Sequence, residues 1–496
     1  MKIFFLGAIL INFYLTLSIT PLFNLDEGVF AEATREMLIN HNFITTYLNG
    51  HLRFDKPILI YWLQAISIYF FGLNTFAIRL PSAIAATFWS FGIYFFTKKL
   101  FDDKIAVLSA FFMATTLQIT LIGKAAMADS LLNMFIAFSM LSLYLYLKEN
   151  KEKYLLLSFA FIGFGVLTKG PIAILIPLAT YFTYALIKKE FKKFLKDVFN
   201  IKGLIIFSII ALPWYILEYH QEGMKFIKGF FLKNNIKRFD TTLERHGGSI
   251  FYYIPVILIG LLPWSGLFVK YLISLKNLLK NDFIFFGSIW FFFVFIFFSI
   301  SGTKLPHYII YGYTPLFIFM ALIFEKVKND FWLTLPFILF LLIMLVLPFV
   351  LGKIHSNETF QITVKTMIPY FNIFYFLIIL TFLILCLIKF NKEIKIIIIG
   401  FGMIFIVNYA AWIYAHVRAI PLKEAAVFVK KHHLKNILMY NMKTPSFNFY
   451  SNMITPIRKP KRNEIVLIKL KDLKNFKYQI LFKKGTIAIV KIKGFK

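Results

Sequence analysis

Four carboxylates crowd one short stretch near the N-terminus: Asp26, Glu27, Glu32 and Glu36 lie in NLDEGVFAEATREML, residues 24–38. The chain has only 24 acidic residues against 55 basic ones, so the grouping stands out. Glu32 and Glu36 are four apart, on one face of a helix that also carries Arg35. Asp26 stands where a cap of that helix would be. A carboxylate held there can serve as a general base. A second group, NGHLRFDKPILIYW (49–62), sets Asp55 and Lys56 before Pro57 at the start of an apolar helix. Open N–H groups and a lysine at a helix start form a place for a phosphate. Asp129 follows in KAAMADSLL, Lys169 in LTKGP (167–171), and Lys237, Arg238, Arg245 and His246 in NNIKRFDTTLERHGGSIFYYIP (234–255). Lys304, His307 and Tyr308 complete the series in SGTKLPHYIIYGY (301–313). Singly, each has an ordinary reading as a cap, a turn residue or a snorkelling side chain.

The elements that must position these residues are membrane helices. Hydrophobic residues make up 59% of the 496, 63 are Phe, and the mean hydropathy is +0.72. Apolar runs near 3–20, 79–97, 105–123, 130–147, 154–168, 171–187, 203–219, 250–273, 283–300, 306–324, 331–351, 370–388 and 396–415 give about thirteen transmembrane helices. The first lacks a cleavage site and reads as a helix that is kept. A further run, 57–72, reads as re-entrant or interfacial, because that places Lys98/Lys99/Lys104, Lys148/Lys151/Lys153, Lys188–Lys202, Lys276/Lys280, Lys326/Lys328 and Lys389/Lys392/Lys395 on one side. The positive-inside rule makes that side cytoplasmic. Residues 21–78, 221–249 and everything after about 416 then lie outside, where the acids and cations of the motifs gather. Helix interiors carry few charges, which favours surface chemistry over an ion path.

The net charge of +31 follows from these loop lysines, so a nucleic-acid partner is not called for. The single cysteine, Cys386, excludes a disulfide framework and a Cys-based zinc site. Two parts emerge: a membrane catalytic domain over 1–416, with 21–78 as its first periplasmic loop, and a C-terminal periplasmic α/β domain over 417–496. In the latter KEAAVFVKKHHL reads as a helix, and KNILMYN, EIVLIKL, YQILFKKG and TIAIVKIKG read as strands.

DEGVFAEATREML, FDKPILIYWL, LTKGP, NNIKRF, FYYIPVILIGLLPW and GTKLPHYI resemble, in order, motifs of the bacterial aminoarabinose-to-lipid-A transferases and their protein O-mannosyltransferase relatives. TPSFNFYSN (444–452) is similar to a stretch of that family's outer domain. The resemblance implies a GT-C membrane glycosyltransferase of the bacterial inner membrane, acting as a monomer. It would transfer a sugar with inversion, 4-amino-4-deoxy-L-arabinose being one candidate, from polyprenyl (undecaprenyl) phosphate to lipid A or another envelope glycan, lipid or protein.

By the same resemblance Asp26 is the catalytic carboxylate, with Glu27 beside it and Asp129 the second acidic position. Lys56 contacts the donor phosphate. Arg245 and Lys304 are placed to stabilise the phosphate as it leaves. Arg35, Lys169, His246, His307 and Tyr308 are expected to line the substrate. Asp55 falls where some members have a metal-site glutamate, which leaves a divalent metal open as cofactor. The family's D-E-x-R-Y reads Asp26-Glu27-Gly28-Val29-Phe30 here, so a cation and a phenol are missing. Two alternatives stand beside this reading, a protein O-glycosyl/mannosyltransferase and a lipid or solute transporter. The topology predicts that a cysteine placed in 188–202 is shielded from an impermeant thiol reagent added outside; labelling there would refute the assignment of sides.

Overall fold

The computed structural model describes residues 1–236, 247–354 and 356–495. Arg245 and His246, with Lys237 and Arg238, lie outside the described residues.

Among the described residues helices occupy all the segments expected to span, and seven are intact, long and apolar enough to cross a membrane. The pair Glu358–Tyr370 and Ile373–Leu387 is apolar enough only when taken together and is bent by 71°, the form of a broken span or a re-entrant loop. The expected count of thirteen is therefore not met by thirteen intact helices among the described residues, because several segments are short or broken. Pro306–Lys326 and the central helix Ala128–Glu149 bury 89% and 78% of their spans, whereas Ile201–Glu222 and Phe331–Lys353 bury 22% and present apolar side chains outward. The central helix therefore carries Asp129 at a packed end of the bundle.

Two breaks shape the interior. The run 105–123 divides into Asp103–Thr115 and Leu117–Ile122 around an extended Thr116. The run 250–273 divides into Tyr253–Gly260 and Ser265–Leu278 around Leu262 and Pro263, whose ring has no N–H to continue a helical ladder. Each break satisfies the other. Leu117 N donates to Leu262 O at 2.8 Å, and Trp264 Nε1 donates to Thr115 Oγ1 at 3.0 Å. Hydropathy is blind to such breaks, since both halves stay apolar.

The run 57–72 becomes the helix Leu59–Phe71. Its 13 residues reach roughly 20 Å at 1.5 Å per residue, short of the ~30 Å hydrocarbon core. This fits a segment that does not cross.

The tail is a small α/β unit. Leu438–Tyr440 runs parallel to Ile465–Lys469, which pairs antiparallel with Ile487–Phe495, which pairs antiparallel with Phe476–Lys484. Helix Ile420–Lys431 covers one face, burying Leu422, Ala425, Ala426 and Val429 against Met439, Leu467 and Ile489. The TPSFNFYSN stretch forms the short helix Pro445–Ser451, and it lies on the first-loop helix Glu27–Asn40. There Leu22 N donates to Tyr450 Oη at 2.7 Å, Ser446 Oγ donates to Asn24 Oδ1 at 2.9 Å, and Asn448 Nδ2 donates to Asn49 Oδ1 at 3.0 Å. A Cβ on Gly28 would stand 2.9 Å from the Ser446 amide nitrogen, so the close approach requires glycine.

The acidic stretch is now explained in large part. Glu36 accepts from the amides of Asn49 (2.5 Å) and Gly50 (2.9 Å), holding the turn between the short strands Tyr47–Leu48 and His51–Leu52. Glu32 takes two bonds from Arg35, at 2.7 and 2.8 Å. Glu27 is gripped by Arg79 from helix Thr75–Leu100 at 2.6 and 2.5 Å, and it also accepts from Phe23 N and Ala126 N. Glu27, Glu32 and Glu36 are buried, and Asp26 alone of the four is exposed.

Arg79→Met should leave Glu27 as an unpaired buried charge and cost about 3–5 kcal/mol. Chemical unfolding of the detergent-solubilised protein measures it; a loss within the error of the wild type would show that the pair does not hold the first loop in place.

Candidate active site

One large cavity, ≈ 1280 Å³, opens where the first loop meets the bundle. Asp26, Arg53, Asp55 and Lys56 line it from the loop, Asp129 from the central helix, Lys169 from the end of Glu152–Lys169, and His307 and Tyr308 from Pro306–Gly312. Chain segments far apart in sequence thus deliver acids and cations to one hollow.

Local structure explains each placement. Asp129 is in the first turn of Ala128–Glu149, where backbone N–H groups favour a carboxylate. Lys169 is the last residue of Glu152–Lys169, and Gly170 follows at φ 83, a conformation suited to glycine. Pro171 then opens the next helix, so LTKGP is a tight helix–helix turn that aims its lysine inward. Pro306 starts the 3₁₀ helix Pro306–Gly312, which carries His307, Tyr308 and Tyr311.

These groups converge on Asp129. Lys169 Nζ is 2.5 Å from Asp129 Oδ1 and donates to Tyr311 Oη at 2.7 Å. Tyr311 Oη donates to the same Oδ1 at 3.1 Å, and His307 Nε2 stands 3.7 Å from it. The Lys169 ammonium also lies over the Tyr308 and Tyr311 rings, 5.3 and 5.4 Å from their centroids. An acid bound so tightly orients its neighbours. It is poorly placed to take up a further proton.

Asp26 differs. It occupies the N-cap position of Glu27–Asn40, yet its side chain makes no capping hydrogen bond, and it is exposed to the cavity. Lys56 follows Asp55 on the same wall, its Nζ donating to the Asp55 carbonyl at 2.9 Å.

Several expectations need correction. Glu27 reaches the wall, but Arg79 and two backbone amides occupy its carboxylate, so it is a structural anchor. Arg35 turns away to Glu32 and also donates to Asn452 Oδ1 at 2.9 Å; it joins the tail to the loop helix and does not line the cavity. Lys304 is buried, its Nζ donating to Ser301 O at 2.6 Å, and it too is absent from the cavity wall. Asp55 is paired with Arg53 at 3.0 Å, and no group of three or more His, Cys, Asp or Glu suited to a metal occurs among the described residues.

Other residues went unsought in the sequence reading: Arg53, Lys124, Lys233 and Lys443 on the wall, and Tyr311, buried behind it against Asp129. Arg53 stands near the place of the missing motif cation, its Nη1 donating to Val29 O at 3.2 Å and its guanidinium 5.5 Å over the Phe30 ring. Lys124 lies in the turn before the central helix; burial, with the Arg79 guanidinium adding to it, pushes its ammonium down to about 7. A lone lysine between two apolar runs was the available signal.

Residues 55–216 match the family described as dolichyl-phosphate-mannose-protein mannosyltransferase. The undecaprenyl phosphate-alpha-4-amino-4-deoxy-L-arabinose arabinosyl transferase of Wigglesworthia glossinidia brevipalpis is 33% identical over 65% of this chain, and its counterpart 2 in Proteus mirabilis is 30% identical over 64%. The chain spans 58% and 59% of the length of these two relatives. An uncharacterised protein of Aquifex aeolicus is 33% identical over 62% of this chain and 69% of its own length. The crystal structure of ArnT from Cupriavidus metallidurans bound to undecaprenyl phosphate superposes with a TM-score of 0.84 at 17% identity, covering 99% of this chain and 97% of that one. The Archaeoglobus fulgidus oligosaccharyltransferase aligns over 92% of this chain and 64% of its own, with a TM-score of 0.53 at 13% identity. The chain belongs to the membrane family that includes these aminoarabinosyl transferases, and it has their GT-C fold.

Proposed function

We propose that the chain is an inverting glycosyltransferase that moves a sugar from polyprenyl phosphate to a cell-envelope acceptor. The observation that carries this is the single cavity in which Asp26, Lys56, Asp129, Lys169 and His307 meet. The names of the arabinosyl relatives and the undecaprenyl phosphate in the ArnT crystal support the donor class. On that support 4-amino-4-deoxy-L-arabinose is the favoured sugar and lipid A the favoured acceptor. The protein would work as a monomer in the inner membrane, with the cavity and the tail on the periplasmic side.

The chemistry follows from the wall. An acceptor oxygen attacks the anomeric carbon on the face opposite the phosphate, and the bond from that carbon to the phosphate oxygen breaks. Asp26 takes the acceptor's proton, whether from a hydroxyl or from a phosphate monoester. The departing polyprenyl phosphate gains negative charge, which Lys56 and Lys169 stabilise in a site partly shielded from water. Asp129, through its bonds to Lys169 and Tyr311 and its approach to His307, fixes where that charge is met. A protein acceptor is the second reading, favoured by the match of residues 55–216 to the protein mannosyltransferase family.

Incubation with a labelled lipid-linked aminoarabinose and lipid A should transfer the sugar to lipid A and release free polyprenyl phosphate. Asp26→Asn should lower that release by about 10²–10⁴, and Lys56→Ala should also suppress it, both without loss of folded protein. Unchanged turnover in Asp26→Asn would remove it as base; donor carried across vesicles intact would favour a transporter. Lys169→Met should lower turnover by roughly 10²–10³, and full activity in that variant would separate Asp129 from the reaction. Mass spectrometry of lipid A and of envelope proteins, with and without the gene, tells the two acceptors apart.

A further inference from the structure

A groove lies toward the other end of the bundle from the catalytic cavity and shares no residue with it. Helix Ile172–Ile187 starts just after Lys169, at the cavity, and leads at its far end to the short helix Phe191–Val198. Ile172–Ile187 and Ile201–Glu222 both pack on Glu152–Lys169, and a groove of ≈ 260 Å³ runs between them. Leu155 and Ile162 form its floor, Ile174 and Leu178 one wall, and Leu204 and Phe207 the other. From Leu155 to Ile162 the floor covers roughly 10 Å of helix at 1.5 Å per residue. Ile174, Leu178 and Leu204 are 36–39% exposed, so the groove opens sideways, where a membrane protein meets hydrocarbon.

Asp197 and Val198, from Phe191–Val198, close its outer end. The helical period of FKKFLKDV puts Phe191, Phe194, Leu195 and Val198 on one face and Lys192, Lys193 and Lys196 on the other. Such a helix lies flat in the zone between hydrocarbon and water. Asp197 is buried, and its oxygens accept from Tyr146 Oη at 2.6 Å and Tyr181 Oη at 2.5 Å. Lys193 Nζ stands 5.4 Å from the centroid of the same Tyr146 ring, and Lys196, beside Asp197, is exposed. Nearby Lys188 and Lys202 are spent on Asp282 at 2.6 Å and Glu152 at 3.0 Å. The other carboxylate of this stretch, Glu190, precedes the helix and is exposed. Three lysines thus stand against two carboxylates at the mouth, and one of the two is already enclosed by phenols.

We propose that the groove binds one acyl chain of an anionic glycerophospholipid whose headgroup is held by Lys193 and Lys196. The charge selects the occupant: cations beside an apolar slot that runs into the bilayer complement an amphiphile with a negative head. A zwitterionic lipid offers the same chain, but its own cation opposes the lysines. The ammonium groups supply donors at the water boundary, and the apolar walls supply the surface that a chain covers. The site is independent of Asp26 and Lys56, so it stands or falls apart from the sugar transfer.

The test titrates dioleoyl phosphatidylglycerol into the purified full chain in detergent and counts bound lipid by native mass spectrometry. The double variant Lys193→Gln/Lys196→Gln should weaken one binding event roughly thirtyfold, and Lys193→Arg/Lys196→Arg should stay within about twofold of wild type. Dioleoyl phosphatidylcholine should respond to neither by more than about twofold. Lys276→Gln/Lys280→Gln removes two lysines that do not line the groove, and it should leave the event in place. An equal loss there would show a diffuse charge effect and overturn the site, as would undiminished binding in Lys193→Gln/Lys196→Gln. Leu204→Trp fills the exposed lip of the groove and should weaken phosphatidylglycerol about tenfold; full binding would show that no chain lies there. Should Leu204→Trp fail to fold, dihexanoyl phosphatidylglycerol makes the same comparison. It should bind at least about tenfold more weakly than the dioleoyl lipid, and equal affinity would leave only the headgroup contact and refute the groove. Displacement of the bound phosphatidylglycerol by undecaprenyl phosphate would overturn the choice of occupant.

Discussion

The buried ion pair between Glu27 and Arg79 is the constraint from which the rest of the site follows. Arg79 spends its remaining donors on the carbonyls of Leu17, Thr20 and Pro21, while Glu27 also accepts from Ala126 N. One pair therefore ties together the end of the first helical segment, the first loop, helix Thr75–Leu100 and the turn that precedes the central helix. Asp26 is the residue before Glu27, and Asp129 follows Ala126 by one turn. Asp26 and Asp129 are held at their separation by a contact in which neither takes part. With both partners almost wholly buried, removal of one leaves the other uncompensated in a medium of low polarity, so the geometry is maintained by the cost of losing it.

Around that anchor the carboxylates divide their labour by environment. Glu32 and Glu36 have the same side chain as Glu27 and a similar place in sequence, yet one locks Arg35 and the other closes a turn. Burial with matched donors makes a carboxylate structural; exposure to a cationic hollow makes it available for chemistry. Asp129 falls between, inside the cavity wall but saturated by a lysine and a tyrosine.

Much of this was legible in the sequence, and the exceptions have physical causes. Membrane helices announce themselves by hydropathy, and the tail's helix and strands by period, so the architecture could be written down from residue order. Asp26, Lys56, Asp129, Lys169, His307 and Tyr308 come to one cavity because each stands at an element boundary, where sequence signals are strong. Lys304 and Arg35 do not, because the direction of a side chain within a turn or a helix depends on tertiary neighbours: Ser301 for one, Glu32 and the tail for the other. The helix breaks at Thr116 and Pro263 were invisible for a related reason. Their backbone groups meet across the fold, Leu117 N with Leu262 O, and no local rule reports a partner 145 positions away. Arg79 and Lys124 were readable as charges at the edges of apolar runs, but their roles depend on what lies opposite.

Gly28 carries a consequence beyond its own turn. Two residues after the proposed base, the backbone of the tail presses against the loop helix so closely that no side chain fits between them. The C-terminal unit is thus a brace on the mouth of the cavity, and Lys443 from that unit forms part of the wall itself. A shortened chain ending after the last membrane helix would keep every motif of the catalytic half while leaving Asp26 on an unsupported helix start. The shape of the cavity mouth is therefore a joint property of the first fifty residues and the last eighty.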